Sequence, residues 1–292
     1  MRYLQRLSIR VLALSAIALL TATASCAQAA PKQQTLQIKG SDTMVNLVQA
    51  WGEAFMEQHP DVFVAVTGGG SGTGIAALIG KTCDVAACSR AMKEQEMAQA
   101  RAKQVEPKEH IVGLDGIAVV VHPGNPVGQL TLDQLRAIFT GEITNWSAVG
   151  GRNERIVILS REVNSGTHVF FKEHVLRHGV GHEQAEFAAA ALLLPSSQAV
   201  ADETAQNPQA IGYYGMGYIS ARQRVVAVAK EASGPFVTPS VDAVRQQRYP
   251  ISRPLLLYTD GEPAGPVKLL MDFVASPKGQ QIVGEQDFVP LK

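Results

Sequence analysis

Ten residues, Val66-Thr-Gly-Gly-Gly-Ser-Gly-Thr-Gly-Ile75, constrain this chain more than any others: five are glycine and three carry a hydroxyl. Apolar stretches flank them, Val62 to Val66 before and Ile75 to Ile79 after, so the pattern predicts a strand, a side-chain-poor loop and a helix start. Such a loop leaves backbone N–H groups uncovered and aims them, with the positive end of the helix dipole, at one point. Glycine permits the tight backbone and the close approach; Gly72 exposes its amide, while Ser71 and Thr73 add hydroxyl donors. That chemistry suits a small anion. A lone glycine-rich turn is usually only a turn, however. No Lys-Ser/Thr directly follows the loop glycines and no G-x-G-x-x-G is present, which excludes an NTPase P-loop and a dinucleotide fingerprint there.

The loop gains weight because hydroxyl-rich helix starts recur along the chain. Thr35 to Lys39 reads as a strand that ends at Gly40-Ser-Asp-Thr-Met44, where capping residues introduce a helix with the stripe Met44, Leu47, Val48, Trp51 and Phe55. Asp84 to Ala87 is a third strand, breaking at Ser89-Arg90 before a polar helix from about Lys93 to Gln104. Gly116 to Val121 is strongly β-branched, and the breaker-rich His122 to Pro126 follows it. Thr131-Leu-Asp-Gln134 fits a capping box. Arg155 to Leu159 is a strand that leads through Arg161 and Ser165-Gly-Thr167 into another helix. Ala188 to Leu194 suits helix or strand; Ala210 to Tyr214, Arg224 to Ala229 and Arg253 to Thr259 read as strands. Thr238-Pro239 is read as an N-cap before a first-turn proline. Strands alternating with helices predict an α/β fold with a largely parallel sheet, whose ligands sit beyond the carboxyl ends of strands.

The first 29 residues read as a secretory signal, with Arg2, Arg6 and Arg10, the apolar Val11 to Leu20, and the small-residue site Ala27-Gln-Ala29. A competing reading makes Cys26 a lipid-modified residue, but the leucine usual three residues before such a cysteine is absent. A periplasmic or extracytoplasmic protein is expected. Cleavage removes three of the 26 Lys and Arg and none of the 26 Asp and Glu, leaving a net charge of about −3. A mildly acidic protein offers no footprint for nucleic acid. Cys83 and Cys88 flank an apolar strand that would hold them roughly 16 Å apart, so two small buried hydrophobes are expected rather than a disulfide. His174, His178 and His182 read as a solvated helix end and not as a metal site, and no cofactor is expected.

Taken singly, each Ser/Thr segment is a helix cap. Together, Ser41-Asp-Thr43, Ser71-Gly-Thr73, Ser89-Arg90 and Ser165-Gly-Thr167 resemble the anion cage of the phosphate-binding proteins that serve bacterial ABC importers. The similar runs also include Ile143-Thr-Asn-Trp146, Ile211-Gly-Tyr213, Tyr249-Pro-Ile-Ser-Arg-Pro254 and Ser276-Pro-Lys-Gly279, so the resemblance extends from about Leu36 to Leu291. It implies a two-lobed, Venus-flytrap α/β fold: lobe 1 over 30–122, lobe 2 over 123–248, and a return to lobe 1 over 249–292. It further implies capture of inorganic phosphate in the cleft, delivery to a membrane permease, a monomer, and no catalytic residue. Carried over by position are Thr43, Met44, Ser71 with its neighbours Gly72 and Thr73, Arg161, Ser165, Gly166 and Thr167, with Arg161 as the main fixed charge; Ser41, Asp42, Ser89 and Arg90, from the adjoining segments, complete the candidate set. Some relatives have an Asp after the third strand to accept the proton of hydrogen phosphate; this chain has Ser89-Arg90 there, which leaves Asp42 as the candidate acceptor. The alternatives are another tetrahedral oxyanion, or a secreted phosphatase-like enzyme. Against the enzyme, no G-x-S-x-G surrounds Ser71.

Overall fold

The computed structural model describes residues 33–291. The expected signal, residues 1–29, and Cys26 lie outside the described residues. Within them the strands are β1 (Gln34–Gly40), β2 (Val62–Thr67), β3 (Val85–Cys88), β4 (Pro107–Val121) and β5 (Gln129–Thr131). There follow β6 (Val157–Arg161), β7 (Leu192–Leu194), β8 (Ala210–Gly215), β9 (Arg224–Ala229) and β10 (Ser252–Asp260). β1 runs parallel to both β2 and β3. The helices between them, Val45–Gln58 and Ser71–Ile79, bury the apolar residues that their spacing predicts, among them Leu47, Val48, Trp51, Phe55, Ile75 and Leu78.

β10 enters this parallel group antiparallel to β3 and carries it on to β4, which makes the sheet mixed. β4 is far longer than the Gly116–Val121 run that the sequence marks as a strand. Its first part, Pro107 to Gly116, pairs with β10, and its last five residues pair with β8, with β9 also joining at Val119 to Val121. Lys108, Glu109 and His110 hide the earlier part from a reading of apolar periodicity, because the opening residues of the strand are exposed or half-buried. The change of partner falls at Gly116, ahead of the boundary placed at 122.

Beyond that point β8 pairs with β6 and β6 with β7, both parallel, while β5 pairs with β9. Of the ambiguous Ala188–Leu194 run only β7 is regular. The capping box at Thr131 is present: Gln134 N–H donates to the threonine hydroxyl at 3.1 Å and Thr131 N–H to the glutamine carbonyl at 3.0 Å. The N-cap expected at Thr238 is not. A bridge between Val228 and Val237 keeps the chain extended there, and the helix Val241–Arg245 starts after Ser240, whose hydroxyl accepts the Ala243 N–H. Cys83 and Cys88 are buried and free. No described helix is long and apolar enough to cross a membrane.

Trp51 ties the first helix to the chain's end: it is 1% exposed, and its indole N–H donates to the Gly279 carbonyl at 2.8 Å. Replacing Trp51 with Phe removes that donor and part of a buried ring, and should cost about 1–3 kcal/mol of unfolding free energy, read from the urea midpoint at unchanged slope.

Candidate functional site

The hydroxyl-bearing segments meet because several strands end at one edge. β1 stops at Gly40, whose φ of +138° and lack of a side chain let Ser41 turn beneath β3; a Cβ there would stand 2.2 Å from the Ala87 carbonyl oxygen. The Gly70 N–H donates to the Gly40 carbonyl at 2.8 Å, which brings the glycine loop to the same edge and starts the helix at Ser71. Ser41 then donates to the Ser89 hydroxyl at 3.0 Å, and the Ser89 N–H donates to Ser71 Oγ at 3.0 Å.

The other half of the molecule closes onto this group. Thr167 shares a hydrogen bond of 2.8 Å with Thr43, and Gly166 packs against the serines so closely that a Cβ would lie 2.2 Å from Ser71 Oγ and 2.7 Å from Ser89 Oγ. Ser165 caps the helix Gly166–Phe171 by accepting the His168 N–H. Ser41, Thr43, Met44, Ser71, Ser89, Ser165, Gly166 and Thr167 are all buried.

At the base of this cluster are two residues to which the sequence reading gave no role. Arg253, on β10, donates from Nε and Nη2 to Asp115 Oδ2 at 2.9 and 2.7 Å, and from Nη1 to the Ser89 carbonyl at 2.9 Å. Its Nη2 also reaches the hydroxyls of Thr167 at 3.1 Å and Thr43 at 3.4 Å, one from each half. Asp115 takes the Met216 N–H on its other oxygen at 3.0 Å. The pair is wholly buried, which pushes the Asp115 carboxyl up and the Arg253 guanidinium down, each against the pull of its partner's charge. A signal for both was present: a lone acid in the apolar run Val112–Val121, and an arginine opening Pro254–Tyr258.

The expected fixed charge, Arg161, is engaged elsewhere. Its Nη2 lies 3.1 Å from Asp42 Oδ2, and its other N–H groups go to Ser197 Oγ and to the Leu194 and Pro195 carbonyls. Asp42, the expected proton acceptor, therefore has its Oδ2 taken by Arg161 and by the Ser197 N–H at 2.8 Å. Arg90 forks onto Glu96, both bonds 2.7 Å; burial disfavours the Glu96 charge, but the guanidinium and the Lys93 N–H together outweigh it and hold the carboxyl below its usual range. Thr73 is exposed and donates back to the Gly69 carbonyl, and the Gly72 N–H donates to the Asn164 carbonyl. Thus eight of the thirteen candidates lie buried around the junction of the two halves, while Asp42, Gly72, Thr73, Arg90 and Arg161 have other partners.

Behind the cluster, Ser160 contacts the His168 ring at 3.3 Å and the Tyr213 hydroxyl at 2.8 Å. Burial and nearby Lys172 lower His168 to about 4, so its ring is neutral at ordinary pH. His174 stacks on Phe170, with centroids 3.7 Å apart. Among the described residues no group of three or more His, Cys, Asp or Glu is placed to hold a metal ion.

A family model described as the PBP superfamily domain matches residues 25–278. The chain is 30% identical over 269 residues to the phosphate-binding protein PstS of Pseudomonas aeruginosa, covering 86% of this chain and 81% of that one. To PstS of Bacillus subtilis it is 33% identical over 258 residues, covering 88% and 81%. A solved structure assigned as a phosphate ABC transporter substrate-binding protein with bound phosphate, from Clostridium perfringens, matches with a TM-score of 0.79 and 32% identity over 89% of this chain and 100% of that one. An ABC-type phosphate transport receptor from Vibrio cholerae matches with a TM-score of 0.71 and 28% identity over 88% and 100%. The chain, with its two halves joined through one continuous sheet, belongs to the PBP superfamily and has the two-lobed fold of the PstS phosphate-binding proteins.

Proposed function

We propose that this protein is an extracytoplasmic receptor that captures one phosphate ion between its lobes and delivers it to an ABC permease. The observation that carries the reading is the meeting of Thr43, Ser71 and Ser89 from one lobe with Gly166 and Thr167 from the other, over the N–H groups of Arg253. A tetrahedral oxyanion needs donors converging from several directions, and hydroxyls, amides and a guanidinium supply them. The anion contacts assigned here are Ser41, Thr43, Met44 through its amide, Ser71, Ser89, Ser165, Gly166 and Thr167, with Arg253 beneath. The lobes take 30–122 with 249–292, and 123–248, as their broad extents; the change of strand partner at Gly116 supports a crossing within β4.

A non-catalytic role is supported by the surroundings of Ser71. The side chain that its hydroxyl meets is Ser89, at 3.3 Å, and the buried His168 instead contacts Ser160. A nucleophile needs a base within reach.

Calorimetric titration of ligand-stripped protein should give a phosphate Kd of about 1 μM or tighter, near −8 kcal/mol, and Thr167→Val should weaken it roughly 10- to 100-fold. Absence of heat with phosphate, or Ser71-dependent turnover of a chromogenic phosphate ester, would remove this reading. Arg253→Met leaves Asp115 as an uncompensated buried charge, so it should cost about 3–5 kcal/mol of stability in chemical denaturation and abolish phosphate binding in the same preparation.

A further inference from the structure

Two further sets of contacts join the lobes beside the hydroxyl cluster, and in both the polar groups are taken up by partners in the opposite lobe. The first centres on Asp42, between β1 and the first helix. Its Oδ2 meets Arg161 Nη2 and the Ser197 N–H, and its carbonyl accepts the Tyr218 hydroxyl at 2.9 Å. All three partners belong to the opposite lobe. Arg161 is 1% exposed and its remaining N–H groups are fixed by Leu194, Pro195 and Ser197, so the guanidinium is held facing Asp42. The second centres on Asn164. Its carboxamide N–H donates to the Gly69 carbonyl at 2.8 Å, the bond that the side chain supplies, and its main-chain carbonyl accepts the Gly72 N–H at 3.0 Å. The backbones touch here: a Cβ on Gly70 would stand 2.7 Å from the Asn164 oxygen.

We infer that Asp42 and Asn164 are positioning residues, two clasps that hold the lobes together and set how fast bound phosphate escapes without either side chain touching the ion. The inference rests on the receptor reading above. Both clasps join segments of different lobes, so they exist only when the cleft is shut and must break before it opens. Association begins from the open form, in which neither is made, so its rate is insensitive to them. The two ion pairs at the site differ in a way that fits this division. The Asp115–Arg253 pair is fully buried at the crossing of the strands, whereas the Asp42 side chain is 16% exposed and can rehydrate when the lobes part. Asn164 supplies the same service without charge, on the glycine-loop side.

The test combines stopped-flow phosphate release with an interlobe distance, measured between spin labels placed on the exposed surface of each lobe. Asp42→Asn and Asn164→Ala should each raise the release rate roughly 10-fold while the association rate stays within about twofold, and Asp42→Glu should recover part of the loss. In the label experiment without added phosphate, both substitutions should shift the distribution toward longer distances. A slowed association at unchanged release, or distances that the substitutions leave alone, would overturn the clasps. Asn164→Ala carries the test by itself should Asp42→Asn not fold. If the parent protein binds no phosphate the receptor reading fails, and the distances still decide whether the clasps exist.

Discussion

The arrangement depends on the ion pair between Asp115 and Arg253. Asp115 stands one residue before the point where β4 leaves β10 and takes up β8, and Arg253 is the second residue of β10 as the chain returns. Bringing both charges out of water carries a penalty of several kcal/mol per ion, and well-packed apolar residues of the same volume could be as stable. What the pair supplies is direction. Two N–H groups on one carboxylate oxygen fix the plane of the guanidinium, the Ser89 carbonyl fixes its roll, and Nη2 is left facing a threonine from each lobe. The base of the cleft is thereby set by the same residues that mark where the lobes divide.

Much of the fold was legible because its determinants are local. The stripe of Leu47, Val48, Trp51 and Phe55, the capping box at Thr131, and the glycine loop between β2 and the helix at Ser71 depend on neighbours a few residues away. The length of β4 was not, since a strand whose opening residues are exposed keeps its charges and is recognised only once its partner is known. The start at Ser240 in place of Thr238 was lost for a related reason: a bridge to Val228 decides it. At the site, each hydroxyl segment announced itself as a helix start or a strand end. The arginines did not announce their partners. Arg253 and Asp115 lie 138 residues apart, and topology alone makes them neighbours. Arg90 is the instructive contrast, because Glu96 was within local reach and its carboxylate also accepts the Lys93 N–H at the helix start.

Each of the three arginines near the cleft is matched by a carboxylate: Arg253 by Asp115, Arg161 by Asp42 and Arg90 by Glu96. An anion held here would therefore meet little uncompensated positive charge. Its charge would be balanced by oriented dipoles, namely hydroxyls and amide N–H groups, with the N–H groups of Arg253 below. In a site without water such dipoles act at low effective dielectric and are already oriented, so they can be strong. They also differ from a free guanidinium in a way that matters to a carrier. An unpaired guanidinium turned onto the ion would draw in any anion and hold it through an opening motion, whereas dipoles contributed by two lobes stop cooperating once the lobes separate; Arg161, held by Leu194, Ser197 and Pro195 as well as Asp42, is not so turned. Pairing the arginines, then, makes retention depend on closure, and closure is something that a partner protein can undo.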